Sequence, residues 1–149
     1  MRNHIRFPLV FIGALLLCMS LAAGCSNDEF HMKLRLLDQE WIENKLIQEG
    51  FSFEEKDLFE IYRLDVEGLR SQKAYELDDN ESSLYMYIFD SEEEQFQGRK
   101  QLERQTIALS YKPAYYDINN ALLIYTDGGV QDDSYKERID ELARNMRKK

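Results

Sequence analysis

The sequence predicts an α+β fold. It is expected as a two-layer sandwich, with an antiparallel sheet of about four strands from two hairpins packed by about three helices. Three observations predict it. Two apolar runs, residues 84–89 and 121–126, have the length and the aromatic or aliphatic content of buried strands. Each has a strand-like neighbour across a cluster of turn residues. The stretches around them repeat apolar residues at helical spacing, and two of these open with a Ser-x-x-Glu capping box.

Residues 32–49 place Leu34, Leu37, Trp41, Ile42 and Leu46 on one helical face, with Gly50 as the stop. Trp41, the only tryptophan, lies on that stripe and is expected as a core anchor. Residues 51–68 admit two readings. Phe51 and Phe53 alternate as in a short strand, whereas residues 54–57 could open a short helix through Leu58, Phe59 and Tyr62, or stay extended.

Residues 73–77 alternate as a strand, and the Asp78-Asp79-Asn80-Glu81-Ser82 turn joins them to the run at 84–89. Ser91 then offers its hydroxyl to the amide of Glu94, while Glu94 reaches back to the amide of Ser91. Three acids in that first turn suit the positive end of the helix dipole. The helix is expected to reach Ala108, with Phe96, Leu102, Thr106 and Leu109 toward one side. Gly98 inside it costs about 1 kcal/mol against Ala, which points to close approach of helix and sheet. Residues 111–118 form a strand that begins late or lies at an edge, because Pro113 cannot donate to a ladder. Asn119-Asn120 supply a two-residue turn into 121–126, and Asp127-Gly128-Gly129 end that strand. Ser134 and Glu137 form the second capping box, before a helix with Tyr135, Ile139, Leu142 and Met146 on one face. Arg144, Arg147, Lys148 and Lys149 complement its negative end.

Chemistry-bearing motifs are sparse. The chain has two histidines, His4 and His31, so Ser–His–acid and Cys–His sites lack their base in the main part of the chain. Glycine-rich phosphate loops, Gly-x-Ser-x-Gly elbows and His-Glu-x-x-His pairs are missing from the sequence. The acidic run from Asp78 fails as a calcium loop, with Ser83 at the glycine position and Phe89 where a bidentate acid belongs. Asp127, Asp132 and Asp133 are too few and wrongly spaced. No catalytic residue, metal ligand or cofactor is therefore expected. Six tyrosines, Tyr85, Tyr87, Tyr111, Tyr115, Tyr116 and Tyr125, fall on predicted strands, with Tyr85 and Tyr87 on the same face. They read either as ordinary strand residues or as an aromatic surface for a glycan or peptide.

The N-terminus carries an address. Arg2 and Arg6 precede an almost purely apolar run from residue 7 to 17, and small residues follow at Ala22, Ala23 and Gly24. A positive start, an apolar middle and a small-residue site form a secretory signal. The run is short for the ~20 residues of a spanning helix. The ending Leu21-Ala22-Ala23-Gly24-Cys25 resembles the lipobox of bacterial lipoproteins. The resemblance implies cleavage between Gly24 and Cys25, an S-diacylglycerol on the Cys25 sulfur, and a Cys25 amine open to palmitoylation. The expected organisation is a signal over 1–24, a lipidated tether over 25–31 and one domain over 32–149.

Without the leader, 125 of the 149 residues remain. The leader holds two of the 19 Lys and Arg and none of the 28 Asp and Glu, so the remainder carries 17 against 28, a net charge of −11. An acidic domain disfavours nucleic acid, whose binding displaces counterions with cationic residues, and is repelled by an anionic bilayer; the simpler reading, which is favoured, is that the charge serves solubility. Cys18 leaves with the signal and Cys25 takes the lipid, so no disulfide is expected.

The residues 73–79, 84–94, 111–112 and 120–125 also resemble small uncharacterised lipoproteins of Bacillus-like Firmicutes. That resemblance implies a domain on the extracellular face of the cell membrane, held there by lipid on Cys25. With Ser26 after the cysteine, a Gram-negative host would imply an outer-membrane lipoprotein instead. The expected function is a non-enzymatic binding or scaffolding domain of the cell envelope, with an envelope protein or glycan as partner. The alternative is an envelope hydrolase of glycan or peptidoglycan that uses acids alone. A solute receptor with two closing lobes is a weak third, because 125 residues are few for it.

Overall fold

The computed structural model describes residues 36–78, 81–128 and 134–147. The signal, the Gly24–Cys25 cleavage site, Cys25 and the tether lie outside the described residues, as do His31 and Leu34. The elements run α1 (Gln39–Gln48), β1 (Phe53–Lys56), a 3-10 turn (Glu60–Tyr62), β2 (Leu69–Leu77), β3 (Ser83–Phe89), α2 (Glu92–Thr106), β4 (Ala114–Ile118), β5 (Ala121–Thr126) and α3 (Ser134–Arg147). The strands form one antiparallel sheet in the order β1-β2-β3-β5-β4.

The α+β class holds, with two differences of detail. The sheet has five strands where about four were expected, because the ambiguous segment at 53–56 pairs with β2 as an edge. The helices also divide between the faces. On one face, α1 and α3 bring Ile42, Leu46, Ile139, Leu142 and Met146 onto Leu77, Leu84, Met86 and Leu123. On the other, Leu102 of α2, together with Tyr62 and Leu64, covers Ala74, Tyr85, Tyr87, Phe89, Leu122 and Ile124. Period-two alternation sends successive residues of β3 and β5 to opposite cores, and both strands are buried throughout. Their unbroken apolar pattern follows from that burial.

Helix ends follow local chemistry. Asp38, rather than a residue near 32, caps α1, its carboxylate accepting from the Trp41 amide at 2.8 Å. The amides of Gly50 and Phe51 donate back to Ile47 and Leu46, a Schellman closure that uses Gly50 at φ +77. Trp41 is half-buried at the edge of the first core rather than an anchor within it, with Lys45 Nζ 5.9 Å from its ring centroid. Ser91 caps α2 as expected, its hydroxyl accepting from the Glu94 amide at 3.2 Å, and the Glu94 carboxylate reaches back to that hydroxyl at 2.8 Å where the Ser91 amide was expected. Gly98 is buried under β3, where an added Cβ would stand 2.6 Å from the Phe89 ring. The expected close packing is what this glycine serves. Phe96, by contrast, is exposed, because the inward stripe of α2 runs through Gln95, Gly98, Leu102 and Thr106.

Asn119 takes φ +52 in the turn from β4 to β5. Its neighbour Asn120 is fully buried and ties three segments together. Its side chain accepts from the Leu37 amide at 2.6 Å and donates to the Leu37 and Phe89 carbonyls at 3.0 and 2.7 Å. Leu37 thus enters the core through an extended segment before α1, where the sequence had placed it on the helix. The strand after Pro113 begins at Ala114 and lies at the edge, as its proline requires.

Candidate functional site

Among the described residues, the face of the sheet beneath α2 is not covered to its end. At the start of β3 and the end of β5, the residues on that face are Ser83 and Thr126, which pair directly across the strands. One step inward the row is Lys56, Ala74, Tyr85 and Ile124. Small side chains over the first row leave a hollow, and the segments through Phe59 and through Ser110 and Tyr111 wall it. The result is a cleft of about 490 Å³ lined by Lys56, Phe59, Ser83, Tyr85, Tyr111 and Thr126, with Glu81, Ser110, Asp127 and Gly128 completing it. That volume lies within the ~300–1,000 Å³ of ordinary small-molecule sites.

The lining is held in place by its own bonds. Lys56 Nζ donates to Ser83 Oγ at 2.5 Å and lies 5.5 Å from the Phe59 ring centroid. Tyr85 stacks on Tyr62 with centroids 4.0 Å apart, and Tyr62 shares a 3.1 Å hydrogen bond with the Tyr111 hydroxyl. Tyr87, deeper in the same core, donates to the Tyr62 carbonyl at 2.6 Å. Burial pushes the Tyr85 phenol up to about 12, while hydrogen bonds from the Ser83 and Thr126 side chains hold it down. Burial also raises Tyr62, and its bond to Tyr111 raises it further. The phenols of Tyr62, Tyr85 and Tyr87, all raised, are neutral donors and acceptors near pH 7. Gly128 closes the rim at φ +57, so close to the Glu81 carbonyl that a Cβ has no room.

Two surfaces within the cleft are exposed aromatics: Phe59 is 57% and Tyr111 41% accessible. The sequence had offered Tyr85 and Tyr87 as an aromatic surface, and both are buried, at 2% and 0%. Tyr115 is half-buried, its hydroxyl 2.6 Å from Thr106, while Tyr116 and Tyr125 face the opposite core. Of the six tyrosines, only Tyr85 and Tyr111 reach the cleft. Phe59 had been read as part of an ambiguous segment, and neither Lys56 nor Ser83 carried any local signal.

Ser83 and Lys56 lie at the distance of a nucleophile and its base. The surroundings do not build the rest of an acyl-transfer site. Ser83 sits in an inner strand between β2 and β5, paired with Glu76 on one side and Thr126 on the other. Its backbone amides there are committed to the sheet rather than aimed at an oxyanion. The two carboxylates of the cleft, Glu81 and Asp127, are both exposed.

Among the described residues no group of three or more His, Cys, Asp or Glu could hold a metal ion, and no helix is long and apolar enough to cross a membrane. Comparison with protein-family models, with curated proteins and with solved structures finds no match.

Proposed function

We propose that the protein is a lipid-anchored binding domain of the cell envelope, non-enzymatic, tethered through Cys25 to the extracellular face of the cell membrane, with the cleft beside Ser83 and Tyr85 as its binding site. The cleft carries this reading. It combines exposed aromatic rings with neutral hydroxyls fixed by buried partners, which is the lining of a recognition pocket. The lipobox at residues 21–25 supports the anchor. Two or three acyl chains suffice to hold a domain at a bilayer, where one gives only reversible binding. The acid-dependent hydrolase is the weaker reading, because its two carboxylates in the cleft lie in the open.

The anchor is tested by metabolic labelling with an alkyne fatty acid. The wild-type chain is expected to label and to sediment with membranes, and Cys25→Ser to lose the label. Labelling that persists in Cys25→Ser would remove the anchor.

A further inference from the structure

We infer that the cleft takes a hydroxylated sugar ring, neutral or cationic, as one unit of a glycan. This deepens the proposed function and rests on the cleft being a binding site. Three observations select that chemistry. First, the inner surface is built of hydroxyls: Ser83, Tyr85, Ser110, Tyr111 and Thr126 all line it. A hydroxyl both donates and accepts, as sugar hydroxyls do, so each keeps capacity for a sugar beyond the bond it makes within the cleft, and no charge is needed. Second, Phe59 and Tyr111 are exposed beside those hydroxyls, Phe59 with Lys56 Nζ over its ring. A pyranose has the matching division, with apolar C–H faces and a polar edge, and an aromatic ring covers the former at low entropic cost. Third, among the described residues the charged side chains lining the cleft are Glu81, Asp127 and Lys56. Lys56 is already bonded to Ser83 and lies beside Phe59. That balance repels phosphate and carboxylate groups, which call for clustered cations or a helix N-terminus.

An extended peptide is the competing occupant, and the sheet argues against it. Strand addition needs an unpaired edge; β3 and β5, which carry Ser83, Tyr85 and Thr126, are both paired on each side, and the edge strand β1 reaches the cleft only through Lys56, its last residue. The edges of the sheet are β1 and β4.

The test is saturation-transfer NMR and calorimetric titration of the full-length chain in nanodiscs. The probes are tetramers of glucose and of N-acetylglucosamine, glucosamine, glucose 6-phosphate and a neutral tetrapeptide. At least one uncharged or amino sugar is expected to bind saturably. Phe59→Ala and Tyr111→Ala should each weaken it about tenfold, the loss of one stacking face. Phe96→Ala, which removes an exposed ring elsewhere, should leave it unchanged. Tyr111→Phe guards against misfolding: it keeps the ring and loses the hydroxyl, so it should bind more weakly than the wild type and more tightly than Tyr111→Ala. The inference falls if no saccharide binds saturably, if binding ignores both alanine variants, or if the sugar phosphate binds as well as the free sugar. Tetrapeptide binding that depends on Phe59 and Tyr111, with no sugar binding, would overturn the sugar and leave the binding cleft standing.

Discussion

The two faces of the sheet are covered in different ways. One carries two helices, α1 and α3, and its core is largely aliphatic, with the hydroxyls of Tyr75 and Tyr116 reaching outward to Glu43 and Asp140. The other carries one long helix and a 3-10 turn, and its core is built on Tyr62, Tyr85, Tyr87 and Phe89. Among the described residues, two helices close one face of the five-stranded sheet, and one helix leaves an end of the other open. The tyrosines beside that open end bring polar atoms into the core, and each atom needs a fixed partner. Those partners order the cleft. The lesson is that the less completely covered face is the one with chemistry to offer, while the closed face supplies rigidity.

The largest effect that would sharpen this contrast is alkaline. Burial raises the phenols of Tyr62, Tyr85 and Tyr87 on the cleft face, and of Tyr75 and Tyr116 on the other. A raised phenol keeps its proton in the folded state after the unfolded chain has lost it. The stability it contributes is intact below the ordinary value of 10.0 and is lost as pH rises through the folded value, about 12 for Tyr85. Absorbance at 295 nm and near-ultraviolet circular dichroism, followed from pH 9 to 13, are expected to show these phenols ionising together with loss of tertiary structure. Ionisation of every tyrosine near pH 10 with the fold intact would break the picture of a tyrosine-built core.

Next in size is a pair of neighbours on β5. Leu122 and Leu123 are both fully buried but point into opposite cores, Leu122 under α2 and Leu123 under α1 and α3. Truncation of either to Ala is expected to cost about 2–5 kcal/mol, the spread being set by how far the surroundings collapse. Leu123→Ala should lie toward the upper end, since two helices hold its pocket open. Leu122→Ala should lie lower, because the face with the open end has room to relax. Urea midpoints at unchanged m-value measure the difference, and the reverse order would contradict the assignment of closed and open faces.

How much of this was legible in the sequence follows the same division. Strands β3 and β5 were readable because burial on both sides leaves continuous apolar runs. The Ser91 cap, the Gly50 stop and the Asn119 turn were readable because each is a local bond or a local φ. Strand β1 was ambiguous for a physical reason: it is four residues long, three of them are charged, and only pairing with β2 makes it a strand. Phe96 misled because hydrophobicity alone does not set the helix phase; Gln95, bonded to Asp117 at 2.6 Å, takes the inward position. The cleft was illegible because its parts are distant in sequence. Lys56, Ser83, Tyr111 and Thr126 come from four separate segments and meet only when β1, β3 and β5 align.

The smallest effect compares two hydroxyls. Tyr87→Phe removes the donor to the Tyr62 carbonyl inside the cleft-side core, where both groups are buried. An acceptor left unpaired there is expected to cost about 1–3 kcal/mol. Tyr116→Phe removes the donor to Asp140 at 2.7 Å on the other face, but Asp140 also accepts from Lys136 and its side chain is 33% accessible. Water and Lys136 can take over there, so the cost should be smaller than for Tyr87. Thermal or urea unfolding of the two variants ranks them. Equal costs would mean that water reaches the Tyr62 carbonyl, and hence that the tyrosine core is wetter than its burial implies. Tyr62 is also the residue that links Tyr85 to Tyr111, so loosening it should carry into the cleft. Sugar affinity in Tyr87→Phe is therefore expected to fall, whereas in Tyr116→Phe it should hold.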